Sequence, residues 1–186
     1  MANLQILVKR VGTVAFLLGL SLAPKIARAA PMTSGSNSDI GAVSAGGTVG
    51  FQTGDGLTQF RLTGEGQYGL LRLAPQVELD LAGHLGLLVG DSVTTFEIVP
   101  EARVRYILDS NLSIYGDGGL GLAFASFSVG PVSSSETWGL LRFAGGVEYK
   151  LTPHVVLIGE PVGLNIYFGT GSGFQYGLAA GALYRF

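Results

Sequence analysis

Phe174-Gln175-Tyr176-Gly177-Leu178-Ala179-Ala180-Gly181-Ala182-Leu183-Tyr184-Arg185-Phe186 ends the chain, and its reading decides the fold class. Every second residue from Phe174 falls on one face: Phe174, Tyr176, Leu178, Ala180, Ala182, Tyr184 and Phe186, all apolar or aromatic. Gln175, Gly177, Ala179, Gly181, Leu183 and Arg185 fall on the other. Side chains of a strand alternate between two sides, whereas a helix would scatter these residues around its circumference. The segment is a strand with one oily flank.

The same period recurs toward the N-terminus. About Trp138 to Leu151, Leu141, Phe143, Gly145, Val147, Tyr149 and Leu151 oppose Arg142, Ala144, Gly146, Glu148 and Lys150. From Leu112 to Phe127, Leu112, Ile114, Leu120, Leu122 and Phe124 oppose Tyr115, Asp117, Gly119, Gly121 and Ala123. From Glu97 to Ile107, Ile98, Pro100, Ala102, Val104 and Tyr106 oppose Glu97, Val99, Glu101, Arg103 and Arg105. From Val77 to Val89, Val77, Leu79, Leu81, Leu85 and Leu87 oppose Glu78, Asp80, Ala82, His84 and Gly86. Three weaker strands complete the set. Gly46 to Thr53 is short and Gly-rich. Leu62 to Leu73 sets Glu65 and Gln67 against Tyr68 and Leu70, with Arg72 outward near its end. Val155 to Phe168 changes phase at Glu160-Pro161, which predicts a bulge, a natural place for a residue that cannot donate to the ladder. Pro100 has no such excuse and is the main local objection to its strand.

Composition says which solvent the oily flank meets. Charged residues are only 13% of the chain, too few for a soluble surface. Yet beyond the N-terminal stretch no long apolar run occurs of the kind a spanning helix needs. Apolar overall without apolar runs means alternation, with lipid on one side of each strand and a polar interior on the other. The 30 glycines suit turns, bulges and crowded interior faces of a narrow barrel. Fold class is therefore all-β, an eight-stranded antiparallel up-and-down transmembrane β-barrel over residues 45–186.

Residues 1–29 read as a cleaved signal peptide. Lys9 and Arg10 precede an apolar run from Val11 to Ala23, and Ala27-Arg28-Ala29 offers the small residues of a cleavage site. The run falls short of the ~20 residues of a membrane helix. Residues 30–44 are small and polar and read as a flexible leader. Lys9, Arg10, Lys25 and Arg28 leave with the signal, so seven of eleven basic residues remain against thirteen acidic ones. No basic patch remains for nucleic acid. The absence of cysteine excludes disulfides, thiolate metal sites and a lipid-modified N-terminal Cys.

Connections alternate in length. Ala74-Pro75-Gln76, Asp109-Ser110-Asn111 and Thr152-Pro153-His154 read as tight turns, facing the periplasm in an exported barrel. Longer loops are expected over 54–61, 90–96, 129–136 and 169–173. Outward aromatics then fall at two levels. Tyr106, Tyr149, Tyr184 and Phe186 lie near the tight-turn end; Phe51, Phe124, Trp138, Phe168, Phe174 and Tyr176 lie near the other. Two such girdles mark the two membrane interfaces.

The final strand, ending Tyr184-Arg185-Phe186, resembles the C-terminal signature of bacterial outer-membrane barrel proteins. Size and strand number resemble the small OmpA- and OmpX-type barrels. The resemblance implies an outer-membrane location in contact with lipid, and recognition of the strand ending at Phe186 by the barrel assembly machinery. The protein is expected to be a monomer, with no metal and no cofactor.

The inward charges are the candidate site. Glu65, Glu78, Asp80, Glu97, Glu101, Asp117, Glu148 and Glu160 face Arg103, Arg105, Arg142, Lys150 and Arg185. An eight-stranded barrel is just wide enough for side chains to fill, so these groups should pair as a network. A polar plug that fixes strand register accounts for them more simply than an ion path or a catalytic acid pair. His84 sits among acids without a second His nearby and reads as structural. A lipid-modifying enzyme would place Ser or His with a carboxylate on the outer rim. Asp91-Ser92 and Ser133-Ser134-Ser135-Glu136 lie there without a His and suit turns. Gly116-Asp117-Gly118-Gly119 has no following helix and is no phosphate loop. The expected function is a structural envelope barrel with a polar, plugged lumen and no wide pore. The alternatives are a lipid-modifying enzyme and a soluble lipocalin-like barrel.

Overall fold

The structure, a computed structural model, describes residues 39–129, 132–169 and 171–186. The segment read as a signal peptide and most of the expected 30–44 leader lie outside them. Eight strands follow one another: β1 (Val43–Gly54), β2 (Leu57–Ala74), β3 (Val77–Val89), β4 (Val93–Ile107), β5 (Leu112–Val129), β6 (Val132–Lys150), β7 (Val155–Phe168) and β8 (Ser172–Arg185). Each pairs antiparallel with the next, and β1 pairs with β8, which closes the barrel. Closure leaves no unpaired edge.

Alternation sorts the side chains as the charge pattern demands. In β4, Glu97, Val99, Glu101, Arg103 and Arg105 are buried, while Pro100, Ala102, Val104 and Tyr106 are exposed. Of the twelve largest fully enclosed side chains, only Leu88, Leu140 and Leu183 are apolar; the others are Arg61, Arg105, Arg142, Gln52, Gln59, Glu78, Glu97, Glu148 and Glu160. Outside, every strand presents large apolar groups, among them Phe51, Leu62, Leu81, Val104, Leu120, Phe143, Ile166 and Leu178. A continuous apolar belt around a polar core is the reverse of a water-soluble protein and matches a hydrocarbon surround.

The strands run further than sequence indicates at the end opposite the tight turns. The segments 54–61, 90–96 and 129–136 contribute most of their residues to hairpins, and the expected long loops shrink to short connections. Asp55-Gly56 alone links β1 to β2, with φ of 50° and 77° at the two residues. That two-residue turn with both φ positive suits the twist of the flanking strands. Gly90 to Ser92 links β3 to β4. Ser133, Ser135 and Glu136 pair with Ser128, Ser126 and Ala125. Backbone ladders continue wherever partners persist, and beyond the hydrocarbon both faces of a strand can be polar.

Irregularities fall where the chemistry puts them. The β7–β8 register shifts between Glu160 and Gly163, so Pro161 and Val162 both face outward. At Pro100 the β4–β5 ladder omits Val99 and Pro100 and resumes in the same register at Glu101↔Gly119. Gly119 and Gly121 lie opposite, where an added Cβ would sit 2.3 Å from the Pro100 carbonyl and 2.1 Å from that of Ile98. The missing side chains let the strands close over the proline. At the β4–β5 turn, Asp109 accepts the amides of Asn111 and Leu112 at 2.7 and 2.8 Å. Those hydrogen bonds hold its carboxyl below the ordinary aspartate range.

The leader is not wholly outside the fold. Val43 and Ser44 belong to β1, and Asp39 is buried in the barrel end. Gly41 donates to the Gly69 carbonyl at 2.8 Å, and Gly69 donates to that of Ala42 at 3.0 Å. A Cβ on Gly69 would stand 2.0 Å from the Asp39 carbonyl, so only glycine admits this segment.

The lipid-facing belt predicts the cost of a charge. Leu120, midway along β5 and 61% exposed, replaced by Arg should lower stability by about 2–4 kcal/mol. Urea unfolding in lipid vesicles, with Leu120→Ala as the control, measures the difference.

Candidate functional site

The enclosed charges assemble in layers along the barrel axis. At the tight-turn end, Arg105 donates to Glu78 at 3.0 Å, to Asp80 at 3.2 Å and to Asp39. Glu78 also accepts from Arg72 at 2.8 Å, which turns its head back to the barrel end from a largely outward stem. Asp39 draws two further cations: Lys150 at 2.9 Å and both terminal nitrogens of Arg185 at 2.5 and 3.0 Å.

Arg103 dominates the next layer. It donates to Asp117 at 2.7 Å through Nη2, and to Glu148 at 3.0 Å and Gln67 at 3.1 Å through Nη1. Glu65 lies 3.8 Å away. The Tyr115 ring covers the guanidinium at 4.0 Å. Planar, delocalised and weakly hydrated, a guanidinium suits such an enclosed multidentate role better than an ammonium would.

Above it, Arg142 donates to Glu101 at 2.8 Å and to Glu160 at 2.6 Å, and Arg61 donates to Glu160 at 3.0 Å. His84 lies between Glu101, 3.1 Å from Nδ1, and Glu97, 3.6 Å from Nε2. Tyr167 donates to Glu97 at 2.5 Å. Gln52, Asn165 and Gln175 join Tyr167 in a neutral layer that ends the polar column.

The thirteen charged residues inferred from sequence are thus brought into contact with one another or with the members just named. Six members of the column lie outside the sequence reading: Arg61 falls in an expected loop, Asp39 in the leader, Arg72 at an outward strand end, and Gln52, Asn165 and Tyr167 carry no charge to mark them. Arg61 and Tyr167 share the phase of Glu65 and Asn165 on their own strands, so extending the alternation would have found them. Asp39 carries no sequence signal of its position.

The aromatic residues divide. Tyr106, Tyr149, Tyr184, Phe168, Phe174, Tyr176 and Phe186 are exposed on the outer surface. Trp138 is not among them. It shares the phase of Leu140 and Arg142, points inward, and packs on the cluster of Val99, Ala123, Leu140 and Tyr167. Among the described residues, no group of three His, Asp or Glu side chains has the arrangement of a metal site.

Two predictions follow from these contacts. Arg142→Met strands Glu101 and Glu160 and should cost about 3–5 kcal/mol, partly recovered by adding Glu101→Gln; denaturant unfolding reads both. At Asp39, burial raises the pKa, but Arg105, Arg185 and Lys150 outweigh it and hold the carboxyl below the ordinary range. The stability it contributes is complete above the unfolded-state pKa and is lost as pH falls through the lower folded-state one. Asp39→Asn should therefore destabilise the barrel at neutral pH and flatten its stability loss in that acid window, measured by unfolding at stepped pH.

No protein-family model and no curated protein matches the sequence. Solved structures do match. Neisserial surface protein A, NspA, aligns with a TM-score of 0.59 at 18% identity, over 78% of this chain and 96% of that one. The N-terminal β-barrel domain of Pseudomonas aeruginosa OprF aligns at 0.57 and 16% identity, over 80% and 98%. The outer membrane enzyme PagL aligns at 0.51 and 15% identity, over 75% and 97%. Identities this low speak for the fold alone, and the fold is common to barrels of different activity. In architecture this chain is an eight-stranded up-and-down β-barrel of the kind found in bacterial outer membranes.

Proposed function

We propose that the protein is an integral outer-membrane barrel with a structural role in the cell envelope, its lumen plugged by its own side chains and carrying no wide pore. The observation that supports this reading is the column from Asp39 to Gln175. Arg105 and Arg103 on β4 reach Glu148 on β6, Arg142 on β6 reaches Glu101 on β4, and Arg61 on β2 reaches Glu160 on β7, so ion pairs join strands that are not neighbours and fill the lumen instead of lining a channel. Opening a path would strip buried charges of their partners, at several kcal/mol each.

The tight turns and the buried Asp39 segment face the periplasm in this reading. Tyr106, Tyr149, Tyr184 and Phe186 then sit at the inner lipid interface, and Phe168, Phe174 and Tyr176 at the outer one. Phe186 is 74% exposed beside Tyr184, available for recognition by assembly machinery. The protein acts as a monomer.

The enzymatic alternative has less support. The chain has two histidines. His84 is enclosed between two glutamates, away from lipid, and His154 lies at the tight-turn end, stacked on Tyr184 and 3.1 Å from the Arg185 carbonyl. Neither stands beside the rim serines. A lipocalin-like carrier would need an apolar lumen, where this barrel has arginines and glutamates.

Cell fractionation, unheated and boiled detergent gels, and planar-bilayer recording test the proposal. The expected result is outer-membrane protein with a heat-shifted band and silent bilayers. Steady conductance steps would sink the plugged lumen, recovery in the periplasm would sink the membrane assignment, and altered lipid A mass spectra on expression would favour the enzyme.

A further inference from the structure

Above the polar column, the mouth opposite the tight turns holds a cavity of about 150 Å³. Three aromatic rings wall it: Phe127, Trp138 and Tyr167. Phe127 and Trp138 meet edge to face at 5.7 Å, and Trp138 and Tyr167 at 5.8 Å, both with planes inclined by 65°. Rings so inclined form the sides of a box, not a flat stack.

The charge around the box has one sign. Asp55 lines it, held by the Phe174 amide at 2.7 Å. Gly173 makes room for that carboxylate, since a Cβ there would stand 2.8 Å from Asp55 Oδ2. The Trp138 indole donates to Glu136 at 3.0 Å, which sets a second carboxylate at the ring edge. Among the described residues, no Lys or Arg lines the cavity. Arg61, Arg103 and Arg142 pair with acids deeper in the lumen, and Arg72, Arg105, Lys150 and Arg185 lie at the far end.

The polar floor is largely bonded to itself: the Tyr167 hydroxyl is taken by Glu97, Gln52 and Gln175 bond to each other and to Tyr167, and Gln59 donates to Thr95 at 3.4 Å, with Ser172 also in the lining. A sugar needs several uncommitted donors and acceptors, whereas a cation needs ring faces and a counter-charge. We propose that this mouth binds a small organic cation of the alkylammonium class, about the size of tetramethylammonium or choline, over Trp138 and Tyr167 and opposite Asp55. The site depends on the barrel fold, not on the envelope role.

Trp138 is the single tryptophan, so its emission reports occupancy directly. The full folded chain in detergent micelles is titrated with choline chloride against sodium chloride of equal ionic strength. The comparison ligand is the uncharged isostere of choline, with carbon in place of the quaternary nitrogen. Saturable quenching by choline and tetramethylammonium is expected, weaker with the isostere. Asp55→Asn should weaken choline binding by about tenfold, and Phe127→Leu, which leaves the polar column intact, by a few-fold. Heat-shifted migration of each variant confirms its fold. No saturable change across the millimolar range, equal binding of the isostere, or displacement of choline by glucose would each overturn the proposal. Fractionation and conductance do not depend on this outcome, so the two readings fail separately.

Discussion

A tube this narrow, set in hydrocarbon, has to neutralise its own contents. Water cannot fill the space that eight strands enclose, so each buried guanidinium needs carboxylates and each carboxylate needs donors. Arg103 and Arg142 meet that demand across the lumen. From β4, Arg103 reaches β2, β5 and β6; from β6, Arg142 reaches β4 and β7. The β4–β2 and β4–β6 bonds among them brace strands that share no backbone ladder. They also fix register, because a slip of one residue would turn the arginines into lipid and the leucines into the lumen.

The interior is graded along its length. Arginine, lysine and acid crowd the end where β1 starts and β8 finishes. Amides and a tyrosine follow, then aromatic rings and acids at the opposite mouth. Two apolar clusters punctuate the column: Val99, Ala123, Leu140 and Tyr167 on one side, and Tyr115, Val156, Ile158 and Leu183 on another. Apart from the two tyrosine hydroxyls, they fill the width between ion pairs with atoms that need no partner. Gly119, Gly121 and Gly146 supply the complementary narrowness, since added Cβ atoms there would stand within about 2.3 Å of neighbouring carbonyl oxygens.

Most of this was legible because period 2 is so strictly kept where lipid and lumen are both close. Phase alone sorts Glu97 to Arg105 and Leu112 to Ala123 correctly, and the flip at Glu160-Pro161 is a true bulge. Legibility fails where one of the two solvents changes. Past the hydrocarbon, Thr58, Ser133 and Ser135 carry no apolar mark and look like loop, yet their backbones pair. Asp55-Gly56 was readable as a two-residue hairpin turn and would have corrected the first loop. It would also have carried the inward phase to Arg61. A large aromatic near a strand end such as Trp138 suggests an interface, yet its even number sets it inward with Arg142. Pro100 looked like an objection only because a proline breaks one side of a ladder; β3 still pairs with it, at Gly83. The partners of Asp39 could not be read, because they lie on β4, β6 and β8 and nothing local announces them.

That residue ties the entry to β1 to the end of β8. Asp39 precedes β1, and its strongest ligands include Arg185, the last residue of β8. During synthesis the aspartate exists long before the arginine does. It acquires its full set of cations only once β8 has zipped against β1 and brought Arg185 to the same rim. A fully bonded Asp39 is thus a local mark of a closed cylinder.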